Sequence, residues 1–230
     1  MSEIRRLVSL GIPVLCFDTC SILDIVRDLT RNSITAREHE AAASIVSAME
    51  NGPMLAGLLA QQVQGEFVKN LQTVVYEATV ALERLRRQMV RIDAVVGVLG
   101  RQVQTDLSHL EGHVDRSRQI VDRLTGVAVA VPQGDKVPER AVDKMIADRT
   151  PARKGKDAIK DCLVIETYLE TARDLRANGL AAKIVFVSSN TRDYAGATGS
   201  TLRPDLAREF AVLGMEYAPN LAAAHYFLDL

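Results

Sequence analysis

Two short apolar segments limit the fold of this chain more than any other feature. Residues 12–17 and 183–187 are rich in β-branched and aromatic side chains, as is typical of strands buried in a parallel sheet. Weaker strand signals lie at residues 54–59 and 215–217, and amphipathic helical segments separate the four. This alternation predicts an α/β fold, with helices on both faces of a central parallel sheet.

A long helical pattern follows the second strand signal. Apolar residues recur over residues 67–124 at spacings near three and then four, which favours a helix that buries one seam. One straight helix over residues 67–110 would be about 65 Å long, more than the width of a small domain. We therefore expect it to bend, fold back or project, with a break at Gly97 or Gly100.

These patterns predict a division of the chain into two parts. Residues 1–66 and 127–230 form the α/β domain, and residues 67–126 form an inserted helical hairpin or small bundle. The segment after the hairpin, residues 127–138, is apolar and then loop-like. Residues 1–13 predict a lead-in to the first strand and not a signal peptide, because Ser9, Gly11 and Pro13 interrupt the apolar stretch.

Composition narrows the class of partner. The formal net charge of -1 gives no general attraction to nucleic acid, so a site for a polyanion must rely on local charge. Aromatic residues make up 4% of the chain and tryptophan is absent, which argues against a surface that stacks a series of bases. Three cysteines without close paired spacing favour a reduced, cytoplasmic protein, with Cys16 and Cys20 as small core residues. No apolar run approaches the roughly 20 residues of a membrane span.

Four acidic residues each follow or begin a predicted element: Asp18, Glu66, Asp161 and Asp193. Carboxylates that converge on one point repel one another unless a cation neutralises them. Mg²⁺ and Mn²⁺ prefer oxygen ligands and can activate water for phosphodiester cleavage. Taken singly, each acid has a simpler interpretation, since Asp18 could cap the next helix and Glu66 could be a solvated surface residue.

The order of these motifs resembles the PIN domain family. The matching motifs are the strand with Asp-Thr-x-Ser at residues 18–21, the helical Glu66, the run DCLVIE from Asp161, and Ser-x-Asn-Thr-x-Asp-Tyr at residues 188–194. The last motif is similar to that of larger PIN-like proteins. The resemblance covers residues 12–66 and 150–230. It implies a three-layer α/β/α sandwich and a Mg²⁺- or Mn²⁺-dependent ribonuclease.

The resemblance also implies a role for each residue. Asp18 is expected to be the principal metal ligand, with Thr19 beside the metal-bound water or the scissile phosphate. Glu66, Asp161 and Asp193 are expected to be the other catalytic and metal-binding acids.

One position departs from the commoner pattern. Asn190 stands where that pattern has an aspartate, which lowers the negative charge of the site and leaves one or two metals open. We expect Asn190 to contact substrate. Asp157, one helical turn before Asp161, is expected to assist.

A basic stretch precedes this helix. Arg149, Arg153, Lys154 and Lys156 could hold RNA phosphates together with backbone donors at the helix N-terminus. A solvated loop without a ligand is the alternative interpretation of the same residues.

We therefore predict a metal-dependent endoribonuclease whose partner is RNA. Two alternatives remain open. The chain could be a non-catalytic scaffold that binds RNA or a protein, or dimerises, through the helical insert. It could also be the toxin of a toxin–antitoxin pair, with an antitoxin as its partner. No membrane partner is expected.

Overall fold

The computed structural model describes residues 3–32, 34–51, 54–100, 104–152 and 158–230. Within these residues, five parallel strands form one sheet in the order β3-β2-β1-β4-β5. The strands are Val14–Phe17 (β1), Ala56–Ala60 (β2), Val129–Val131 (β3), Ile184–Val187 (β4) and Met215–Ala218 (β5). The helices are Glu3–Leu10 (α1), Thr19–Leu23 (α2), Ala36–Glu50 (α3), Gln61–Leu99 (α4), His113–Val127 (α5), Val137–Ile146 (α6), Ile159–Ala177 (α7), Thr191–Tyr194 (α8), Pro204–Leu213 (α9) and Leu221–Phe227 (α10), with a short 3₁₀ turn at Ser108–Leu110.

Helices cover both faces of the sheet. One packed group consists of α1, α6, α7 and α9, and a second consists of α3, α5 and α10. The strands β1, β2 and β4 are buried along their whole length because helices exclude water from both of their faces. The predicted α/β/α sandwich with a central parallel sheet is confirmed. No helix in the described ranges is long and apolar enough to cross a membrane.

The N-terminal segment differs from the prediction. Instead of a simple lead-in to β1, it forms the helix α1, so this expectation was wrong. Ile4, Leu7 and Val8 recur at helical spacing and pack against the core. Gly11, with a φ of 62°, follows this helix in the left-handed conformation that glycine adopts without steric cost.

A further strand was also missed. Residues 127–138 were expected to be apolar and then loop-like, but β3 forms there and pairs with β2, with Val129 opposite Leu58. The strand has only three residues and is partly exposed, so it lacks the buried apolar run that marks β1 and β4. Its existence depends on the partner strand and not on local sequence.

The long helical pattern forms α4, which has 39 residues and ends directly before Gly100. The expected break at the glycines is confirmed. Beyond it, the backbone N–H and the hydroxyl of Thr105 donate to the carboxylate of Asp93, at 2.7 and 3.0 Å. The chain therefore turns back along the helix that it has just left.

Side chains from both ends of this hairpin join the main core. The first half of α4 contributes Phe67, Leu71 and Val74, and α5 contributes Val121 and Leu124. The far half of α4 is largely exposed. The separation of residues 67–126 as an inserted unit stays a prediction.

A tyrosine connects α7 to the two strands that lead into the acidic residues. The side chain of Tyr168 is fully buried. Its hydroxyl lies 2.6 Å from the carbonyl oxygen of Phe17, to which it donates, and it accepts from the N–H of Ala60 at 3.0 Å. Phe17 and Ala60 are the last residues of β1 and β2, so Tyr168 fixes both strand ends relative to α7.

Tyr168→Phe should destabilise the fold by about 1–3 kcal/mol, because the buried N–H of Ala60 loses its partner. The free energy of unfolding in urea measures the effect. Tyr226→Phe is the matched control, since the side chain of Tyr226 is exposed, and it should change stability by less than about 0.5 kcal/mol. Equal effects of the two changes would contradict a structural role for the Tyr168 hydroxyl.

Candidate active site

The candidate site lies at the carboxyl edge of the sheet, between β1 and β4. Strand order reverses there, because β1 has β2 on one side and β4 on the other. Parallel sheets bind ligands at such switch points, where the loops diverge. Asp18 follows β1 and Ser188 follows β4, and the N–H of Asp18 donates to the carbonyl oxygen of Val187 at 3.0 Å.

The carboxyl group of Asp18 is buried and accepts from three donors. Its Oδ1 accepts from the backbone N–H of Thr19 at 2.8 Å. Its Oδ2 accepts from the hydroxyl of Ser188 at 2.5 Å and from the thiol of Cys20 at 3.1 Å. Burial raises the pKa of Asp18, the three hydrogen bonds oppose that rise, and the negative charge of Glu66 adds to it.

Thr19 connects this carboxylate to the second acid. Its hydroxyl donates to Oε2 of Glu66 at 3.2 Å, and the ammonium group of Lys160 lies 3.7 Å from Oε1. Glu66 reaches the site because α4 begins directly after β2, at the same edge of the sheet. The structure therefore brings Asp18, Thr19 and Glu66 together.

The loop after β4 adds a second connected set. The amide of Asn190 donates to Oδ2 of Asp193 at 2.7 Å, and the backbone N–H of Asn190 lies 3.2 Å from the hydroxyl of Ser188. Asp193 is buried. A chain of hydrogen bonds therefore runs from Asp193 through Asn190 and Ser188 to Asp18.

The backbone of Asp161 contacts Tyr194, the last residue of α8. Asp161 lies in the first turn of α7 and is half-buried, and its carbonyl oxygen lies 3.5 Å from the Tyr194 hydroxyl. Burial raises the pKa of Tyr194, and the charges of Asp18 and then Asp161 raise it further. Both carboxylates therefore lie within electrostatic reach of the same buried ring.

The shared metal centre stays a prediction. Among the described residues, no group of three or more histidine, cysteine, aspartate or glutamate side chains is arranged to hold a metal ion. Asp157, Arg153, Lys154 and Lys156 lie outside the described residues. Arg149, just before them, pairs with Glu209.

Sequence reasoning gave no role to two side chains that contact Asp18. Ser188 is the first residue of the Ser-x-Asn-Thr-x-Asp motif, and that position could have indicated it. Cys20 was expected in the core like Cys16, but it is only partly buried and lies beside the Asp18 carboxyl group. No feature of the sequence around Cys20 indicated its contact with Asp18. In the structure, burial raises the pKa of the Cys20 thiol.

Comparison with known proteins places the chain in a family. The sequence model of the family described as PIN domain matches residues 15–194. The match begins in β1 and ends with α8, so it includes the four acidic residues and also the whole of α4. No curated protein and no solved structure matches the chain.

In metal-free protein at neutral pH, Asp18→Asn should raise the midpoint of thermal unfolding. Because the pKa of Asp18 is raised in the folded state, its ionised form destabilises the fold. This cost appears as the pH rises from about 4, the usual pKa of an unfolded aspartate, through the folded pKa. Asparagine carries no charge and can still accept from the N–H of Thr19.

Calorimetry in EDTA over a pH series measures the difference, which should shrink toward zero at acid pH. Asp174→Asn, at an exposed position of α7, is the control and should show no such trend. A parent protein that is more stable than Asp18→Asn at every pH would contradict the interpretation.

Proposed function

Because the chain belongs to the PIN domain family, we propose that it is an endoribonuclease that hydrolyses RNA phosphodiester bonds with Mg²⁺ or Mn²⁺. Members of this family are typically nucleases. The observation that carries the proposal is the carboxyl group of Asp18, buried at the sheet switch point, with Glu66 joined to it through Thr19. Carboxylates whose pKa is shifted by burial and by a neighbouring acid cluster at functional sites.

The donor set suits a hard divalent cation. Mg²⁺ and Mn²⁺ prefer carboxylate oxygens, and a bound cation would offset the repulsion by which Glu66 raises the pKa of Asp18. We assign Asp18 and Glu66 as the leading ligands, with Asp161 and Asp193 as the others. The hydrogen bond from Asn190 supports the assignment of Asp193. The assignment of Asp161 follows from its place in the family motif.

The protein residues have separate roles in this proposal. When bound, Mg²⁺ or Mn²⁺ would lower the pKa of a coordinated water and stabilise the leaving oxygen. Ser188, Cys20 and the N–H of Thr19 hold the Asp18 carboxylate in one orientation. The hydroxyl of Thr19 and the amide of Asn190 are polar groups at the same edge of the sheet, and we assign both to substrate.

A non-catalytic scaffold is the second candidate, and the exposed apolar end of α4 favours it. Val98 and Leu99 are 83% and 88% exposed, as is typical of a contact with a partner protein. A homodimer and an antitoxin are two such partners, and both stay predictions. Metal dependence separates the scaffold from the enzyme.

Asp18→Asn should reduce Mn²⁺-dependent cleavage of RNA by more than about 100-fold, since it removes the leading ligand. Mn²⁺ at 100 times its Kd should also stabilise the parent by about 2.7 kcal/mol, and it should not stabilise the variant. Cleavage is measured with labelled RNA and binding by thermal shift. Equal activity in parent and variant would exclude this site, and a parent that neither binds Mn²⁺ nor cleaves RNA would favour the scaffold.

Glu66→Gln should reduce cleavage by about 10–100-fold, because the amide keeps the contact with Thr19 but loses the charge. Glu139→Gln makes the same change at an exposed position of α6, away from every residue assigned to the site, and should leave cleavage unchanged. The kcat/KM of each variant measures the effect. Equal values for the two variants would remove Glu66 from the site.

A further inference from the structure

The side of α4 that presents Glu66 to the site continues along the helix as a basic surface. Eighteen residues make five turns of an α-helix, so Arg84 stands on the same line as Glu66, about 27 Å further on. Arg87 and Arg91 lie three and seven positions beyond Arg84, within about 60° of that line. All three arginines are exposed. We refer to Arg84, Arg87 and Arg91 as the arginine track.

The charge of the arginine track is available to a ligand. In the part of the chain that the structure describes, none of the three guanidinium groups forms an ion pair. Asp93 is the acidic residue closest to Arg91 in sequence, and its two carboxylate oxygens already accept from Thr105. In a protein of net charge -1, this surface therefore offers the local positive charge that a polyanion needs.

A groove of about 430 Å³ runs along α4 beyond Glu66, and Arg84, the first residue of the arginine track, is part of its lining. Tyr76, Val80 and Arg84 line it on the α4 side, and Asp28 and Thr30 line it on the opposite side. The ring of Tyr76 is 70% exposed, which leaves its face free to stack on a base. Asp28 accepts from the N–H and the hydroxyl of Thr30, so its oxygens are partly occupied.

Two acidic residues, Asp28 and Glu77, line the groove and limit where phosphate can bind. Glu77 is exposed. Both charges oppose phosphate binding next to Tyr76, so the phosphates must be held further along, at the arginine track. The groove itself suits the uncharged base of a nucleotide.

We propose that single-stranded RNA extends from the site along this side of α4. Tyr76 stacks on one base in the groove, and Arg84, Arg87 and Arg91 bind phosphates beyond it. An aromatic ring next to a row of cations is the usual arrangement for an unpaired strand. The proposal rests on the proposed function, because the strand continues to the site of cleavage. The helix α4 is then a substrate-binding arm that favours long RNA over short RNA.

The test measures binding without cleavage, in protein that carries Asp18→Asn. The RNA has about 20 nucleotides, which exceeds the roughly 4–16 nucleotides that one single-strand-binding fold covers. The triple change Arg84→Gln, Arg87→Gln and Arg91→Gln should weaken its binding by at least about tenfold, because three phosphate contacts are lost. The slope of log Kd against log salt should fall by about 2, since each lost phosphate contact removes about 0.7. Fluorescence anisotropy over a salt series measures both quantities.

The matched control changes the same charge elsewhere. Arg5, Arg173 and Arg208 are exposed on α1, α7 and α9, and their triple change to glutamine should leave the Kd and the salt slope unchanged. Tyr76→Ala should weaken binding by about tenfold, and Tyr76→Phe should retain it because the ring remains. The advantage in Kd of the long RNA over a trinucleotide should shrink in the triple variant of the arginine track.

Other results would overturn the proposal. Equal Kd and salt slope for the arginine-track variant and its parent would do so. Unchanged RNA binding with a loss of self-association in light scattering would instead assign the surface to a protein contact. If binding depends on the arginine track but the unsubstituted protein never cleaves RNA, the proposed function alone is refuted.

Discussion

Burial of the Asp18 carboxyl group places the main constraint on the structure around it. Removing a carboxylate from water is costly, and burial raises the pKa of Asp18. Hydrogen bonds from Thr19, Cys20 and Ser188 oppose this rise, and they come from the α2 turn and from the end of β4. The negative charge of Glu66 instead adds to the rise in the pKa of Asp18. The site is therefore held together only in part without a cation, which is the physical reason to expect one.

The contacts outside the site keep these groups in place. Tyr168 holds the ends of β1 and β2, so the residues that follow, Asp18 and the start of α4, have fixed positions. At the other end of this packing, the buried ammonium group of Lys144 on α6 bridges Glu166 on α7 and Glu209 on α9, at 3.1 and 2.9 Å. The helix that carries Asp161 is therefore fixed from both sides.

Much of this arrangement could be predicted from local sequence, and the remainder depends on distant partners. The apolar runs predicted β1 and β4, and the glycines predicted the end of α4. The strand β3 was missed because pairing with β2 defines it. Within the site, the resemblance to the PIN domain family predicted that Asp18 and Glu66 lie together. Nothing in the sequence predicted the contact of Tyr168 with Phe17, which lies 151 residues away.

A crystal structure of the protein soaked in Mn²⁺, with the metal located by its anomalous scattering, tests the assignment of the acids directly. We expect Mn²⁺ between Asp18 and Glu66, with Asp161 and Asp193 completing or supporting its ligands. No bound Mn²⁺ at saturating concentration, or Mn²⁺ bound elsewhere while Asp18 keeps its contacts with Ser188 and Cys20, would contradict the metal-dependent site.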